Sequence, residues 1–321
     1  MGSINTLVLE PDNYSLDALA LYRDLGQVYL DLNAVPDKNE VSVLVVRLNH
    51  NIDNTFLKSF TKLRWIISPT TGLNHIDLEA CEEKSIQVFS LNDQPEAIQL
   101  ITSTSELTIG LILSLLRNIN AAHKDVAYHQ HWDRDKFKSR QLSKLNLGII
   151  GLGRIGGHVA DYAHAFGMKV MAYDPYIPKE IFHEHNVEQC GLIPLLEQSD
   201  IVSVHAKLNQ ENHHLLGLTE LRKMRKDAIL VNTARGALLD ETAAVSQIEQ
   251  GLLAGIAVDV LEYEHTEIDW WESPLVKAAK ADYNVLITPH IGGCTSDAMH
   301  ITEEIMARHA FNKIQENECT K

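Results

Sequence analysis

Three residues in this chain have side chains suited to acid–base and anion chemistry, and each follows an apolar run of strand length. Arg235 comes after Ala228 to Asn232, Glu264 after Leu253 to Asp259, and His290 after Val285 to Thr288. An arginine carries a permanent planar fork that grips a carboxylate and polarises a neighbouring carbonyl. A histidine, with an ordinary pKa near ~6.5, gives or takes a proton at working pH. A carboxylate beside it favours the imidazolium and fixes the ring. Together the three types suit reduction of a carbonyl next to a carboxylate. Each also has a plainer reading: Arg235 as a surface cation at a turn, Glu264 as a solvated acid in Glu262-Tyr263-Glu264, and His290 as a structural histidine after Pro289.

A second constellation could supply the hydride. Leu145 to Ile150 is an apolar run, followed by glycines at 151, 153 and 156 in G-x-G-x-x-G spacing. Ile155, Val159, Tyr162, Ala163 and Phe166 then recur at helical spacing, Gly167 stops the helix, and Lys169 to Tyr173 is an apolar strand ending in Asp174. Strand, glycine turn, helix, strand and acid form a dinucleotide-binding pattern. Gly151 makes the turn, Gly153 lets a pyrophosphate approach the backbone, and Gly156 lets the helix pack on the strand. The helix N-terminus attracts the phosphates. Asp174 is placed to accept from ribose hydroxyls and would repel a 2′-phosphate, so NAD is expected rather than NADP.

The elements that must carry these residues read as strand–helix alternation. Before the glycine loop, strands are expected at Ile4 to Leu9, Val41 to Arg47, Leu63 to Ser68 and Ile86 to Phe89, with helices at Leu16 to Leu25 and Ile76 to Lys84. One long helix is expected over Ser103 to His129. It is apolar enough from Leu107 to Leu116 to face both its own domain and another subunit, or simply to be buried. After Asp174 come strands at Ile201 to His205, Ala228 to Asn232, Leu253 to Val258 and Val285 to Thr288, and a helix over Asp240 to Gln250. A last helix, Ser296 to Ile314, is expected to return to the first domain. Polar residues gather after the C-terminal strand ends, where ligands bind in open parallel sheets. The expected fold is α/β: two α/β domains with a cleft, the larger a Rossmann-type doubly wound parallel sheet inserted into a smaller flavodoxin-like one. Residues 1–100 and 296–321 form the substrate domain and 101–295 the dinucleotide domain.

The 321 residues carry a formal net charge of −15, which argues against nucleic acid or an anionic membrane as partner. Cys81, Cys190, Cys294 and Cys319 show no C-x-x-C pairing and read as free thiols. No basic-then-apolar leader is evident at the N-terminus, so a cytoplasmic location is expected.

Four motifs in order, GLGRIG at Gly151 to Gly156, VNTARGALLD at Val231 to Asp240, AVDVLEYE at Ala257 to Glu264 and TPHIGG at Thr288 to Gly293, resemble the D-isomer-specific 2-hydroxyacid dehydrogenases. The resemblance implies NAD-dependent, reversible hydride transfer at C2 of a small 2-oxo/2-hydroxy acid of the 3-phosphoglycerate, hydroxypyruvate or glyoxylate type. It implies Arg235 as substrate-binding arginine, His290 as acid/base and Glu264 as its partner. It places Arg154, Ile155, His205, Ala206, Thr233, Ala234, Asp259 and, more loosely, Thr104 along the cofactor. In the first domain it implies that backbone N–H groups of Thr71-Gly72-Leu73 hold the substrate carboxylate. Arg47 is a candidate for a second anionic group on the substrate, or a surface cation. A homodimer through the dinucleotide domain is implied as well. The family also includes NAD-sensing corepressors and phosphite or formate dehydrogenases, which are the alternatives here. A phosphoglycerate dehydrogenase of this length is expected to be a short form, insensitive to serine.

The chain departs from the family at Ala206-Lys207-Leu208, where a proline usually stands. Lys207 there would soften the bias against NADP, or is simply a solvated loop lysine. A further departure is the segment His265 to Ser273, with Trp270 and Trp271 paired. These line a pocket or a subunit contact, or cover apolar surface.

Overall fold

Apolar residues run unbroken through two of the central strands of the first sheet, and successive side chains fall on its two opposite faces. In the computed structural model, which describes residues 4–264 and 269–319, the strands of this sheet are β1 (Ile4–Val8), β2 (Gly26–Tyr29), β3 (Val43–Val45), β4 (Trp65–Ser68) and β5 (Gln87–Ser90). All pair in parallel in the order β2-β1-β3-β4-β5. Between them lie α1 (Leu16–Leu25), α2 (Asn54–Leu57) and α3 (Leu78–Glu83). Val43, Val45, Trp65 and Ile67 face one core, and Leu44 and Ile66 the other. Side chains buried to this degree contribute about 1.5–3 kcal/mol each. Ser15 and Asp77 cap α1 and α3 with their side-chain oxygens.

The second unit begins with α4 (Ser103–Leu116) and α5 (Ile119–His129). The single helix expected over Ser103 to His129 is therefore two. Arg117 ends α4, and Asn118 takes a left-handed backbone with φ 51°, a conformation asparagine tolerates. Next come β6 (Asn146–Ile150), α6 (Arg154–Ala165), β7 (Lys169–Tyr173), α7 (Lys179–Glu184), β8 (Glu188–Gln189), α8 (Leu192–Gln198) and β9 (Ile201–Val204). They are followed by α9 (Leu218–Leu221), β10 (Ile229–Asn232), α10 (Glu241–Glu249), β11 (Gly255–Val258), α11 (Pro274–Lys280) and β12 (Val285–Ile287). The seven strands are parallel in the order β12-β11-β10-β9-β6-β7-β8. Leu147, Ile149, Ile229 and Val231 enter the core that α4 and α6 cover. Ile150, Val202, Leu230, Ile256 and Val258 enter the opposite one.

The chain then returns. α12 (Ser296–Cys319) packs against α1, and its Met306, Ala307, Ala310 and Ile314 join the core of Tyr22 and Leu19. Two compact units result: residues 1–101 with 294–321, and residues 102–293. No helix among the described residues is long and apolar enough to cross a membrane.

Two strands escape a purely periodic reading. In β2, Gly26 serves both as the stop of α1 and as the first residue paired to β1. A Cβ on it would lie 2.2 Å from the Ile4 carbonyl oxygen. β8 is two exposed polar residues that pair with β7.

Candidate active site

The order of the larger sheet reverses between β6 and β9, and a parallel sheet binds ligands at such a switch, at the C-terminal ends of its strands. At that point Gly151 leaves β6 with φ 92°, and a Cβ on it would collide with the Ala206 amide at 2.5 Å. A Cβ on Gly156 would reach the Gly151 carbonyl oxygen at 2.2 Å, so only glycine lets α6 start this close to β6. At Gly153 a Cβ would meet nothing within 4 Å, and this residue caps α6 without a side-chain acceptor. The first turn of α6 thus presents uncapped N–H groups and a positive dipole end across open space. That arrangement fits a pyrophosphate. Asp174, just past β7, accepts from the amides of Leu152 and Tyr176, both at 3.0 Å, which ties the glycine loop to the acid.

His205 and Ala206 follow β9. The His205 ring meets the Ser203 hydroxyl at 2.8 Å through Nε2 and the Thr233 hydroxyl at 3.5 Å through Nδ1. Burial pushes this imidazole down to about 3. The unfolded chain, with its histidine near ~6.5, takes the proton first as pH falls, so native stability is lost between about 6.5 and 3 by up to ~1.4 kcal/mol per pH unit. Above about 6.5 the group contributes nothing to the pH dependence. Urea unfolding at pH 6.5 and 5.5 should therefore show a fall that is smaller by ~1 kcal/mol in His205→Gln than in the parent. Equal falls would refute the burial argument.

Past β10, Asn232 clasps the turn that carries Arg235. Its Oδ1 accepts from the Ala234 amide at 3.0 Å, and its Nδ2 donates to the Arg235 carbonyl at 2.9 Å. Thr233 is hydrogen bonded to Thr108 of α4 at 2.9 Å. Burial lowers the Arg235 guanidinium pKa, and the Glu264 carboxylate nearby pulls it back up. Gly236 lies flat against the neighbouring loop, where a Cβ would sit 2.1 Å from the Leu261 carbonyl carbon and 2.2 Å from the Glu262 nitrogen. Gly236→Ala must push apart the segments bearing Arg235 and Glu264. A stability loss of at least about 1–3 kcal/mol is expected in thermal melts, together with a clear loss of turnover. An unshifted melt would contradict this packing.

Past β11 and β12 the structure joins Glu264 to His290. Nδ1 of His290 lies 2.8 Å from Oε1 of Glu264, and both side chains are mostly shielded, 25% and 18% exposed. A carboxylate only accepts, so Nδ1 carries the proton in this pair. His290 has φ 54°, strained for a non-glycine residue. Asp259 holds it there. This buried side chain accepts from the Thr288 hydroxyl at 2.5 Å and the Ile291 amide at 2.9 Å through Oδ1, and from the Gly292 amide at 2.7 Å through Oδ2. Its carbonyl accepts from the His290 amide at 2.8 Å. Thr104, in the first turn of α4, stands beside Gly292, where a Cβ would approach it to 3.0 Å.

Thr71, Gly72, Leu73 and Arg47 belong to the smaller unit. Thr71, Gly72 and Leu73 follow β4 in a loop tied by Thr70 Oγ1 to the Gly72 carbonyl at 2.8 Å and by Asn92 to the Thr71 carbonyl at 2.9 Å. Arg47 is occupied. Nη1 donates to the buried Glu303 carboxylate at 3.2 Å, and Nη2 to the carbonyls of Glu10 and Asp12. The side chain is 15% exposed, so it is held within the unit by these bonds and is not the surface cation that was one of the two readings from sequence. Trp270 and Trp271 pack edge to face, centroids 5.6 Å apart, and remain about half exposed. The first four residues of the His265–Ser273 segment lie outside the described residues. Cys81, Cys190 and Cys294 are free thiols, and nothing is described of the Cys319 side chain.

Sequence reasoning passed over Asn232, Thr288 and Glu241. Asn232 had a signal, an asparagine at the strand end before a turn. Buried Glu241 accepts from the Glu262 amide at 2.9 Å and the Ser273 hydroxyl at 2.5 Å, which braces the Glu264 loop from behind, and nothing in its sequence context marks it.

Comparison with known proteins identifies the family of the chain. Residues 109–292 match the family described as D-isomer specific 2-hydroxyacid dehydrogenase, NAD binding domain. The D-3-phosphoglycerate dehydrogenase of Methanocaldococcus jannaschii is 34% identical over 306 residues, which is 94% of this chain but 56% of that protein, so the chain spans little more than half of that relative. The crystal structure of D-lactate dehydrogenase from Aquifex aeolicus, complexed with NAD and lactic acid, superposes with a TM-score of 0.81 at 27% identity, covering 97% of this chain and 96% of that one. The TT0316 protein of Thermus thermophilus gives 0.75 at 29% identity, covering 95% and 94%. The chain therefore belongs to the D-isomer specific 2-hydroxyacid dehydrogenase family of oxidoreductases, and its NAD-binding domain is built around the glycine loop at Gly151 to Gly156.

Proposed function

We propose that this chain is an NAD-dependent dehydrogenase of a small D-2-hydroxy acid, working reversibly on the corresponding 2-oxo acid. The observation that carries the reading is the His290–Glu264 pair at 2.8 Å, with the Arg235 guanidinium near enough to Glu264 to feel its charge. NAD, when bound, supplies the hydride acceptor or donor. The uncapped N–H groups of α6 hold its pyrophosphate and Asp174 its ribose. His205 and Ala206 after β9, Thr233 and Ala234 after β10, and Thr104 are assigned to the rest of the cofactor's length.

In the reductive direction Arg235 binds the carboxylate and polarises the C2 carbonyl, and His290 donates a proton to the oxygen as the hydroxyl forms. Glu264, at 2.8 Å from Nδ1, keeps the ring oriented for that donation. Oxidation runs the same roles backwards, with neutral His290 taking the hydroxyl proton. The consecutive amides of Thr71, Gly72 and Leu73 are carboxylate donors in this reading. Asp259 acts as the positioning residue of the His290 turn.

Arg47 bears on the substrate. Its ion pair with Glu303 already satisfies it, so a second anionic group on the substrate has no evident cation to meet there. This favours an unphosphorylated acid of the glyoxylate, hydroxypyruvate or pyruvate class over 3-phosphohydroxypyruvate. The test is NADH oxidation against these acids, repeated with NADPH. Preferred turnover of one unphosphorylated acid with NADH is expected. Absence of turnover on all of them, with NADH binding intact, would overturn the proposal. A strong preference for the phosphorylated acid would overturn the substrate class alone. Asp174→Ala should weaken the preference for NADH over NADPH. An unchanged ratio would remove Asp174 from the ribose site.

A further inference from the structure

Among the described residues outside the site above, one cluster of side chains has the composition and spacing of a metal centre. His213, His214 and Glu262 bring Nε2, Nε2 and a carboxylate oxygen within 4.8 Å of one another. Both rings converge on the same atom. Oε1 of Glu262 lies 3.3 Å from Nε2 of His213 and 2.8 Å from Nε2 of His214.

Neighbouring residues in an extended chain point to opposite sides, and the backbone here prevents that. His214 is left-handed, with φ 51°, which swings its ring alongside that of His213. The centroids are 4.0 Å apart and the planes 31° from parallel. A non-glycine residue in this conformation is strained, and the strain is held by local bonds. The His214 amide donates to the Ala237 carbonyl at 2.8 Å, and the Leu216 amide to the Leu238 carbonyl at 3.0 Å. The carboxylate side is equally fixed. The Glu262 amide is bound by buried Glu241, and Gly236 packs directly under it. Exposure is graded: the Glu262 side chain is 10% exposed, His214 34% and His213 56%, so the group is a shallow recess with one side open to water.

We infer that this recess binds a single divalent transition-metal ion of the zinc, cobalt or nickel type. Metal–nitrogen and metal–oxygen bonds to such ions are about 2.0–2.1 Å. With both bonds at about 2.05 Å, the two observed edges subtend about 86° and about 107° at the metal, within the range of tetrahedral to five-coordinate geometry. Two imidazoles and one carboxylate suit these ions and do not suit calcium or magnesium, which take oxygen ligands. Water from the open side completes the coordination. No described residue of the catalytic pair is a ligand, although Glu262 shares its loop with Glu264.

The test uses the full chain, freed of metal with a chelator and titrated with Co²⁺, whose visible d–d absorption reports coordination by nitrogen and oxygen. Zn²⁺ is then added as competitor. One equivalent of Co²⁺ should bind and be displaced by Zn²⁺. His213→Ala should weaken binding at least about tenfold, the minimum expected for losing a ligand when even outer partners of ligands cost that much. His214→Gly should do the same while preserving the left-handed backbone. His131→Ala, which alters a separate exposed histidine near His129, should bind like the parent. Circular dichroism of each variant confirms folding. No saturable Co²⁺ binding, or unchanged binding in both His213→Ala and His214→Gly, would overturn the assignment, as would loss of binding in His131→Ala. The readout is spectroscopic and independent of turnover, so failure here leaves the dehydrogenase reading untouched, and failure of that reading leaves this one standing.

Discussion

His290→Asn is expected to lower kcat by about 10²–10⁴-fold, the ordinary contribution of a positioned proton donor, while leaving NADH affinity nearly unchanged. Asparagine is the informative replacement for a structural reason. His290 sits at φ 54°, and asparagine visits that region with little penalty, whereas alanine adds strain to the turn. Asp259 can then keep its bonds to Thr288, Ile291 and Gly292, because none of them uses the His290 side chain. The loss is thereby confined to the imidazole. Steady-state kinetics with NADH and the best acid give kcat, and quenching of protein fluorescence gives NADH binding. A kcat within tenfold of the parent, with folding intact, would remove His290 from proton transfer. Glu264→Gln should show a smaller loss, because the glutamine carbonyl still accepts from Nδ1 and keeps the ring oriented, through a weaker neutral hydrogen bond.

How much of this could be read in the sequence depends on the range of each interaction. The glycine loop is local, and Gly151, Gly153, Gly156 and Asp174 occupy their expected places because turn, helix start and strand end are all fixed within one strand–helix–strand unit. The strands were legible as apolar runs but end earlier than the runs do. Val41 to Arg47 is apolar over most of its length, yet Val43–Val45 alone forms the strand, although Ser42 and Val46 on either side still bond to Asn5 of β1 and Ile67 of β4. The break at Asn118 was not legible, because an asparagine in a run of helix formers signals a stop only when its backbone turns left-handed. The pairing of His290 with Glu264 lies between these cases. The residue types suggested it, but the distance depends on β11 and β12 being neighbours and on a strained turn held by Asp259. Arg47 shows the limit. Its partner Glu303 is 256 positions away on the returning helix, so no window of sequence could show that the guanidinium was taken.

Arg235→Gln is expected to reduce kcat/KM for the 2-oxo acid by about 10²–10³-fold, the scale of removing a donor aimed at charge that develops during reaction. Both KM and kcat should move, since in the proposed mechanism the guanidinium holds the carboxylate in the ground state and polarises the carbonyl as it is reduced. Geometry makes the arginine hard to replace. Asn232 clasps its turn, its backbone is extended, and one donor, Nη1, is committed to the Ala234 carbonyl at 2.5 Å, so the fork is set before substrate arrives. Arg235→Lys separates charge from shape. A lysine restores the cation without the planar fork, and it should recover part of the KM loss and little of kcat. Full recovery by lysine would mean that a point charge suffices and that the bidentate role is wrong. Glutamine behaving like the parent would remove Arg235 from the substrate site altogether. Thermal melts provide the control: Arg235 lies outside the apolar cores, so both variants should unfold close to the parent temperature, and the kinetic loss is then one of recognition and not of folding.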